Sequence, residues 1–325
     1  MTKARKLADL GNVYDDGALS NRNKLINGAF QVWQRGTSQT GTNSYSSADR
    51  WVVYTSGNGL TASRSTDVPS DSGLQYSIAT TGTPSGEYIL AQGVELPATG
   101  SAGEFYNGQK ITISYYAKSS VAGDKLRHFI AFRNTVTGST NQSVIENNTD
   151  QNDLTTSFQK FSKTYTISVD PNSTNTNLCV MIRTRNSAND SSTAAGNITI
   201  AGVQLEVGDT ATPFEHRSYG DELARCQRYA IVTGNAVVGV MGNTYEGNAM
   251  WSCPVPLRAS PTVKAADGGA VTTVAIDRFN TGADLANLAS MSFTATAANY
   301  FTTNGTNGSQ GLPVRIQSLL LDSEL

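Results

Sequence analysis

The chain has 325 residues, 38% of them hydrophobic and only 15% charged, with 24 basic residues against 26 acidic and a net charge of −2. A near-neutral chain with no basic excess is a poor match for phosphate-led nucleic-acid binding, and no run of about 18 apolar residues is present to insert in a membrane as a spanning helix. Ser, Thr, Asn, Gln and Gly must make most of the surface, and they suit sheets and turns better than helices because their side chains compete for the backbone.

The first residues, "MTKARKLADLGNVYDDG", are charged and lack the apolar run of a secretory signal, so synthesis in a cytoplasm is expected. Ala4, Leu7, Ala8 and Leu10 fall at helical spacing and Gly11 follows as a stop. So short a helix does not hold itself in water. Leu7 and Leu10 are therefore candidates for attachment to a partner or to sister chains, with a frayed tail as the alternative. Residues 12 to 24 read as a polar linker, which sets off 1–24 as an N-terminal helical attachment segment.

From residue 26 to about 215 the period becomes two. "KITISYYAKS" puts Ile111, Ile113 and Tyr115 on one face and Thr112, Ser114 and Tyr116 on the other. Phe161, Tyr165, Ile167 and Val169 alternate in the same way, as do Tyr88, Leu90, Val94 and Leu96, and Leu178, Val180 and Ile182. Half-buried antiparallel strands require this pattern, because successive side chains point to opposite faces. The turn-rich stretches "TTGTPSG", "ATGSAG" and "SANDSSTAAG" between them predict a β-sandwich over 25–217. In "NITIAGVQLEVG" the phase changes: Ile198 and Ile200 share one parity, Val203, Leu205 and Val207 the other, which predicts a β-bulge near Ala201–Gly202.

A connecting helix is expected over 218–230. Ser218 is placed as N-cap with Asp221 three residues later, Asp221 and Glu222 lie in the first turn and Arg225 and Arg228 in the last, and Leu223, Cys226 and Ala230 form the buried stripe. Strand patterns resume at "AIVTGNAVVGVMG", "NAMWSCPVPL", "AVTTVAIDRF", "SMSFTATA" and "PVRIQSLLLD", giving a smaller C-terminal β domain over 231–325. The fold class read from the chain is all-β.

Catalytic signatures are scarce. Cys179, Cys226 and Cys253 are odd in number and at no metal-ligand spacing, so they read as reduced structural thiols. His128 shares strand parity with Ile130 and Phe132 and reads as packed; His216, between Glu215 and Arg217, needs only a structural hydrogen bond. No Ser-centred elbow, Gly-rich phosphate loop or His/Cys cluster occurs, so no cofactor and no metal are expected, while a two-carboxylate glycoside hydrolase stays open. Rings on a sheet face or loop rim suit the apolar faces of sugars, with core packing as the alternative. Tyr116 is a candidate because it opposes the apolar face of its strand. Tyr245, Trp251 and Tyr300 are candidates because they lie beside "MGNTYEGNAMW" and "AANYFTTNGTNG"; packing of these rings at an interface between copies is the alternative, somewhat more so for Trp251 than for the tyrosines.

"KLINGAFQVWQRGTS", "SSADRWVVY" and "ITIAGVQLEVGDTATPFEHRSYGDELARCQRYA", with the closing "LLLDSEL", resemble a family of bacteriophage tail-fibre and receptor-binding proteins. The resemblance implies an N-terminal virion-attachment segment, a jelly roll similar to carbohydrate-binding modules and a small distal β region. It also implies threefold fibres on the virion tail that meet host-surface carbohydrate, hence a homotrimer that contacts other phage tail proteins. In this reading "NGAFQVWQRG" is the first jelly-roll strand, paired with the last, "GVQLEVG", and Trp33 and Trp51 hold the sheets together. Related modules keep a structural calcium at those strands, but Gln31 and Gln204 stand where a hard cation wants carboxylates. A capsid-decoration or collar protein, and a glycan depolymerase, are the competing readings.

Overall fold

The computed structural model describes residues 21–324 apart from 41–43, 46, 56–59, 83–86, 137–141, 148–151, 185–195, 235, 267–274, 279–283 and 304–309. The attachment residues Leu7 and Leu10 lie outside the described residues. The chain divides into two units, one made of Met1–Gln31, Ser38–Tyr45 and Trp51–Arg217, the other of Val32–Thr37, Ser46–Arg50 and Ser218–Leu325.

The period-two stretches become antiparallel strands, and the chain is nearly all-β. In the first unit one sheet runs β1 (Ser38–Thr40), β3 (Leu60–Ser65), β4 (Ser77–Gly82), β12 (Ile198–Val207), β6 (Lys110–Ser119), β10 (Gln159–Thr166). The other runs β2 (Val52–Thr55), β5 (Tyr88–Glu95), β11 (Asn177–Thr184), β7 (Lys125–Arg133), β8 (Ser143–Asn147), with β9 (Asn152–Asp153) also on β7. Sequence neighbours repeatedly cross between the two sheets, as a jelly-roll sandwich requires. Ile111, Ile113 and Tyr115 of β6 meet Leu126, Ile130 and Phe132 of β7 and Leu178, Val180 and Ile182 of β11 in a core that is wholly or almost wholly buried.

His128 joins the sheets by hydrogen bonds between Nδ1 and the Tyr165 hydroxyl (2.7 Å) and between Nε2 and the Tyr115 hydroxyl (2.9 Å), and Asn152 Nδ2 donates to Tyr115 at 2.9 Å. It is packed, as its parity predicts. The three cysteines are free, and burial pushes the Cys179 thiol up to about 11, which makes it a poor nucleophile at neutral pH.

The stretch expected as first strand is not one. Residues 26–37 form turns and irregular chain, with Asn27 and Phe30 at φ +58° and +52°, a conformation that an extended strand excludes. Only isolated backbone bonds run along the last strand: Lys24 N to Leu205 O (2.8 Å) and Val203 N to Gly28 O (2.9 Å). A Cβ on Gly28 would sit 2.1 Å from Val203 O, so the approach demands glycine. Trp51 is fully buried against Phe30, centroids 5.4 Å apart, and donates to Asn27 O at 2.9 Å. Trp33 is only half-buried and belongs to the second unit; it does not hold the sandwich together.

In the second unit α1 (Tyr219–Gln227) is capped by Ser218, whose side chain accepts from Asp221 N at 3.2 Å. Its buried side chains are Glu222 and Cys226; Leu223 is half-buried, and Ala230 has already entered a strand. A small sheet follows, β13 (Ala230–Val232), β21 (Leu319–Asp322), β16 (Thr262–Ala265), and a closed six-stranded barrel of β14 (Val237–Met241), β15 (Glu246–Ser252), β19 (Ala297–Thr303), β18 (Asp284–Phe293), β17 (Ala275–Arg278) and β20 (Pro313–Ile316). Closure leaves no sheet edge. Val237, Ile276, Leu288, Phe301 and Ile316 fill the barrel.

The second unit also holds a cluster of buried charge. Arg35 and Arg50 both bond the Glu324 carboxylate, Asp49 accepts from Gln34 Nε2 at 2.7 Å, and Arg258 Nε donates to Ser323 O at 3.0 Å. The motif residues of "QRG", "ADR", "RYA" and "DSEL" are thus neighbours in space.

Candidate functional site

The phase change in β12 is the bulge predicted near Ala201–Gly202: its register on β6 shifts between Ala201 and Gln204. Gly202 has φ +58°, and a Cβ there would stand 2.8 Å from Leu74 Cδ1. The bulge therefore makes room for the chain between β3 and β4. That chain turns sharply at Asp71 and Gly73, both at positive φ, with Ser72 Oγ donating to Pro69 O at 2.7 Å. Leu74 is set down, 7% exposed, on Ala29 and Ala201, and half-buried Val68, Tyr116, Phe158 and Phe214 pack around it.

Tyr116 points away from the sandwich core, as its parity predicts, and stands opposite Ala201 on one side and Lys160 on the other. Lys160 Nζ lies 5.9 Å from the Tyr116 ring centre and Lys118 Nζ 4.7 Å from that of Phe158, while Lys118 also pairs with Asp67 at 2.7 Å.

Beside this shelf opens a pocket of about 150 Å³. Gln31, Gln75, His216, Arg217 and Gly73 line it, with the nearly buried Ala29 and Leu74 beneath. His216 stands edge-on to Phe214, centroids 5.1 Å apart, and its Nε2 lies 3.0 Å from Ser72 O. A carbonyl can only accept, so Nε2 is the donor in this contact. Arg217 is held by Leu25 O (3.1 Å), Asn23 O and Glu215 (3.2 Å). It is part of the wall. Among the described residues the side chains of Gln31 and Gln75 have no hydrogen bond, Gln31 being half-buried and Gln75 exposed. Two amides and an imidazole give the pocket a mostly polar lining of hydrogen-bonding groups, which suits a small ligand rich in hydroxyls.

Among the described residues no three His, Cys, Asp or Glu stand together to hold a metal ion. Gln204, on the last strand, spends its amide within the protein, accepting from Glu215 N at 2.8 Å and donating to Thr212 Oγ1 at 3.3 Å.

No known family matches the chain, and no curated protein does. Among solved structures it is similar to a putative sugar-binding protein from Bacteroides thetaiotaomicron, with 12% identity and a TM-score of 0.38, covering 57% of this chain and 100% of that one. It is also similar to the C-terminal family 22 carbohydrate-binding module of Clostridium thermocellum Xyn10B (12% identity, TM-score 0.37, 59% and 99% covered). A third is the xylan-binding domain CBM22-1 of Paenibacillus barcinonensis Xyn10C (15% identity, TM-score 0.32, 54% and 94% covered). The likeness is one of fold, and sandwiches of this kind carry unrelated activities.

The other predicted ring residues belong to the second unit. Tyr245 is 54% exposed in the turn between β14 and β15. Tyr300, 37% exposed on β19, bonds Glu246; local desolvation and then this carboxylate raise its phenol pKa. Trp251 packs against the barrel core, edge-on to Phe293 with centroids 6.1 Å apart. Around Tyr300 the barrel wall shows Val240 and Met250, 47% and 76% exposed, which the sequence did not single out. Leu74, Gln75 and His216 were missed as pocket residues. The one available signal was the phase change at Ala201–Gly202.

Proposed function

We propose that the protein binds glycans without turning them over, and that the pocket bounded by Leu74, Gln31, Gln75 and His216, with the Tyr116 shelf beside it, is where it does so. The observation that carries this reading is the pair of amides left without an internal partner in a mostly polar pocket, with the half-buried Tyr116 ring packed beside it on Leu74. Folded proteins satisfy polar groups internally or leave them to solvent and ligand, and sugar hydroxyls match amides in both donor and acceptor roles. Single-site affinity would be weak, and several copies on one particle would multiply it.

The finer reading is a phage tail-fibre or receptor-binding protein, trimeric, held to the virion tail through residues 1–24 and Leu7 and Leu10, with Tyr245 and Tyr300 as a further glycan contact. Its support is the resemblance of the four motifs. Titration calorimetry of the full chain with neutral oligosaccharides tests the site. Gln75→Ala and Tyr116→Ala should each weaken binding about tenfold, the worth of one good hydrogen bond or stacked ring. Unchanged affinity in both variants removes the pocket, and release of reducing sugar by the wild type overturns the non-catalytic reading. Light scattering that returns a monomer or dimer mass refutes the trimer, and labelled protein over capsomers rather than the tail refutes the fibre.

A further inference from the structure

The turn that sets Leu74 and Gln75 in the pocket is latched by a side chain 144 positions away. Before the turn the chain is anchored at Asp67, whose carbonyl accepts from Ser77 Oγ at 2.6 Å and whose carboxylate pairs with Lys118 at 2.7 Å. Beyond Asp67 the chain bonds to itself: Ser72 Oγ donates to Pro69 O at 2.7 Å and accepts from Leu74 N at 3.3 Å. Among the described residues, one hydrogen bond joins residues 69–74 to chain outside the turn. It comes from His216, whose Nε2 donates to Ser72 O at 3.0 Å.

His216 also underlies the turn. A Cβ on Gly73 would stand 3.1 Å from His216 Cε1 and 3.2 Å from Nε2, and its three nearest atoms would all belong to that ring. The imidazole thus fills the space beneath a residue held at φ +71°. The ring stands on a fixed base. Its edge meets Phe214, centroids 5.1 Å apart, and Phe214 packs with Leu74 in the same cluster. Both chain neighbours of His216 are anchored, Glu215 N to Gln204 Oε1 at 2.8 Å and Arg217 Nη1 to Leu25 O at 3.1 Å. His216 is itself exposed, so its bond competes with water and its net worth is small. The turn has no second one among the described residues.

We propose that His216 is a positioning residue of the pocket. Through Ser72 O it holds the turn down, so that Leu74 stays on Ala29 and Ala201 and Gln75 stays at the pocket wall. It acts on a ligand through the turn. The proposal rests on the reading of this pocket as a sugar site, and it names the contact that must be made before a sugar arrives.

The experiment compares the wild type with His216→Ala and His216→Gln in the full chain. Hydrogen exchange is followed by mass spectrometry without ligand, and titration calorimetry then uses xylohexaose and a β-1,4-galactan hexamer. In His216→Ala the peptide covering residues 66–76 should exchange roughly 2- to 10-fold faster, the worth of one neutral hydrogen bond. Peptides from β6, β7 and β11 and the melting temperature should not change. His216→Gln places an amide N–H near the position of Nε2 and should return the turn to wild-type exchange. Affinity for whichever hexamer binds should fall by the same roughly 2- to 10-fold in His216→Ala and recover in His216→Gln. Wild-type exchange of the turn in His216→Ala, no rescue by His216→Gln, or faster exchange throughout the sandwich overturns the proposal. Unchanged affinity in His216→Ala does the same. If neither hexamer binds the wild type, the sugar reading of the pocket loses its support, and exchange of the turn alone decides whether His216 latches it.

Discussion

Arg35 Nη2 donates to Glu324 Oε1 at 2.9 Å although 289 positions separate the two residues. Arg50 takes the other carboxylate oxygen and lays its guanidinium 3.5 Å from the centre of the Tyr229 ring. The three side chains are 4%, 1% and 5% exposed. Two arginines from the early motifs thus close on the last turn of chain, and Lys264 adds a bond to Asp322 at 2.7 Å.

Glu324→Gln leaves both guanidinium groups buried with their shared acid gone. Breaking one partner out of a buried pair costs about 3–5 kcal/mol, so the variant should unfold at clearly lower denaturant. Asp209→Asn, which removes an exposed pair with Lys110, is the control and should shift stability by less than about 1 kcal/mol. Equal stabilities would show the cluster to be energetically idle.

A fragment of residues 218–325 lacks Arg35, Asp49 and Arg50, which belong to the same unit. Glu324, Tyr229 and Ala230 O then lose partners that they have in the full chain. The fragment should show poor amide dispersion by NMR, and fusing residues 26–55 ahead of it through a flexible linker should restore dispersed signals.

The acids of the cluster give two limbs to the pH dependence. Burial alone would raise Asp322, but the hydrogen bond from Lys264, the charge of Arg35 and the backbone N–H of Glu324 hold it below its ordinary 3.8. A lowered carboxyl adds stability that is present above the unfolded value and is lost as pH falls through the folded one. Asp49 is raised, by burial that outweighs the charge of Arg35 and the bonds from Gln34. Its contribution runs the other way, present below 3.8 and lost as pH climbs through the raised value. Denaturation midpoints from about pH 3 to about pH 8 should show Asp322→Asn flattening the acid limb and Asp49→Asn flattening the limb above it. Parallel profiles for all three proteins would contradict this.

Gly202→Ala puts a methyl against Leu74 at a left-handed position. The strain costs about 1–3 kcal/mol, and relief by lifting Leu74 disturbs the pocket floor. Lower melting temperature together with weaker neutral-sugar binding is expected. Loss of stability with intact binding would separate the bulge from the site.

The all-β class, the Ser218 cap and the outward direction of Tyr116 were legible in the chain, because each depends on spacing over a few residues: period two along a strand, or a hydroxyl three positions before an amide. The bulge at Ala201–Gly202 was legible for the same reason. A shift in parity is a local fact.

"NGAFQVWQRG" shows the limit of that logic. Its apolar and polar residues look like a strand, yet Asn27 and Phe30 take positive φ and Arg35 leaves for the second unit, because a buried guanidinium needs an acid and the acid is Glu324. Likewise Gln31, Gln75 and His216 share one pocket only because the bulge admits the loop that carries Leu74. Spacing along the chain determines which face a residue occupies. Which distant residue completes its charge or its pocket is decided by packing and desolvation, and these act only once the sheets have closed.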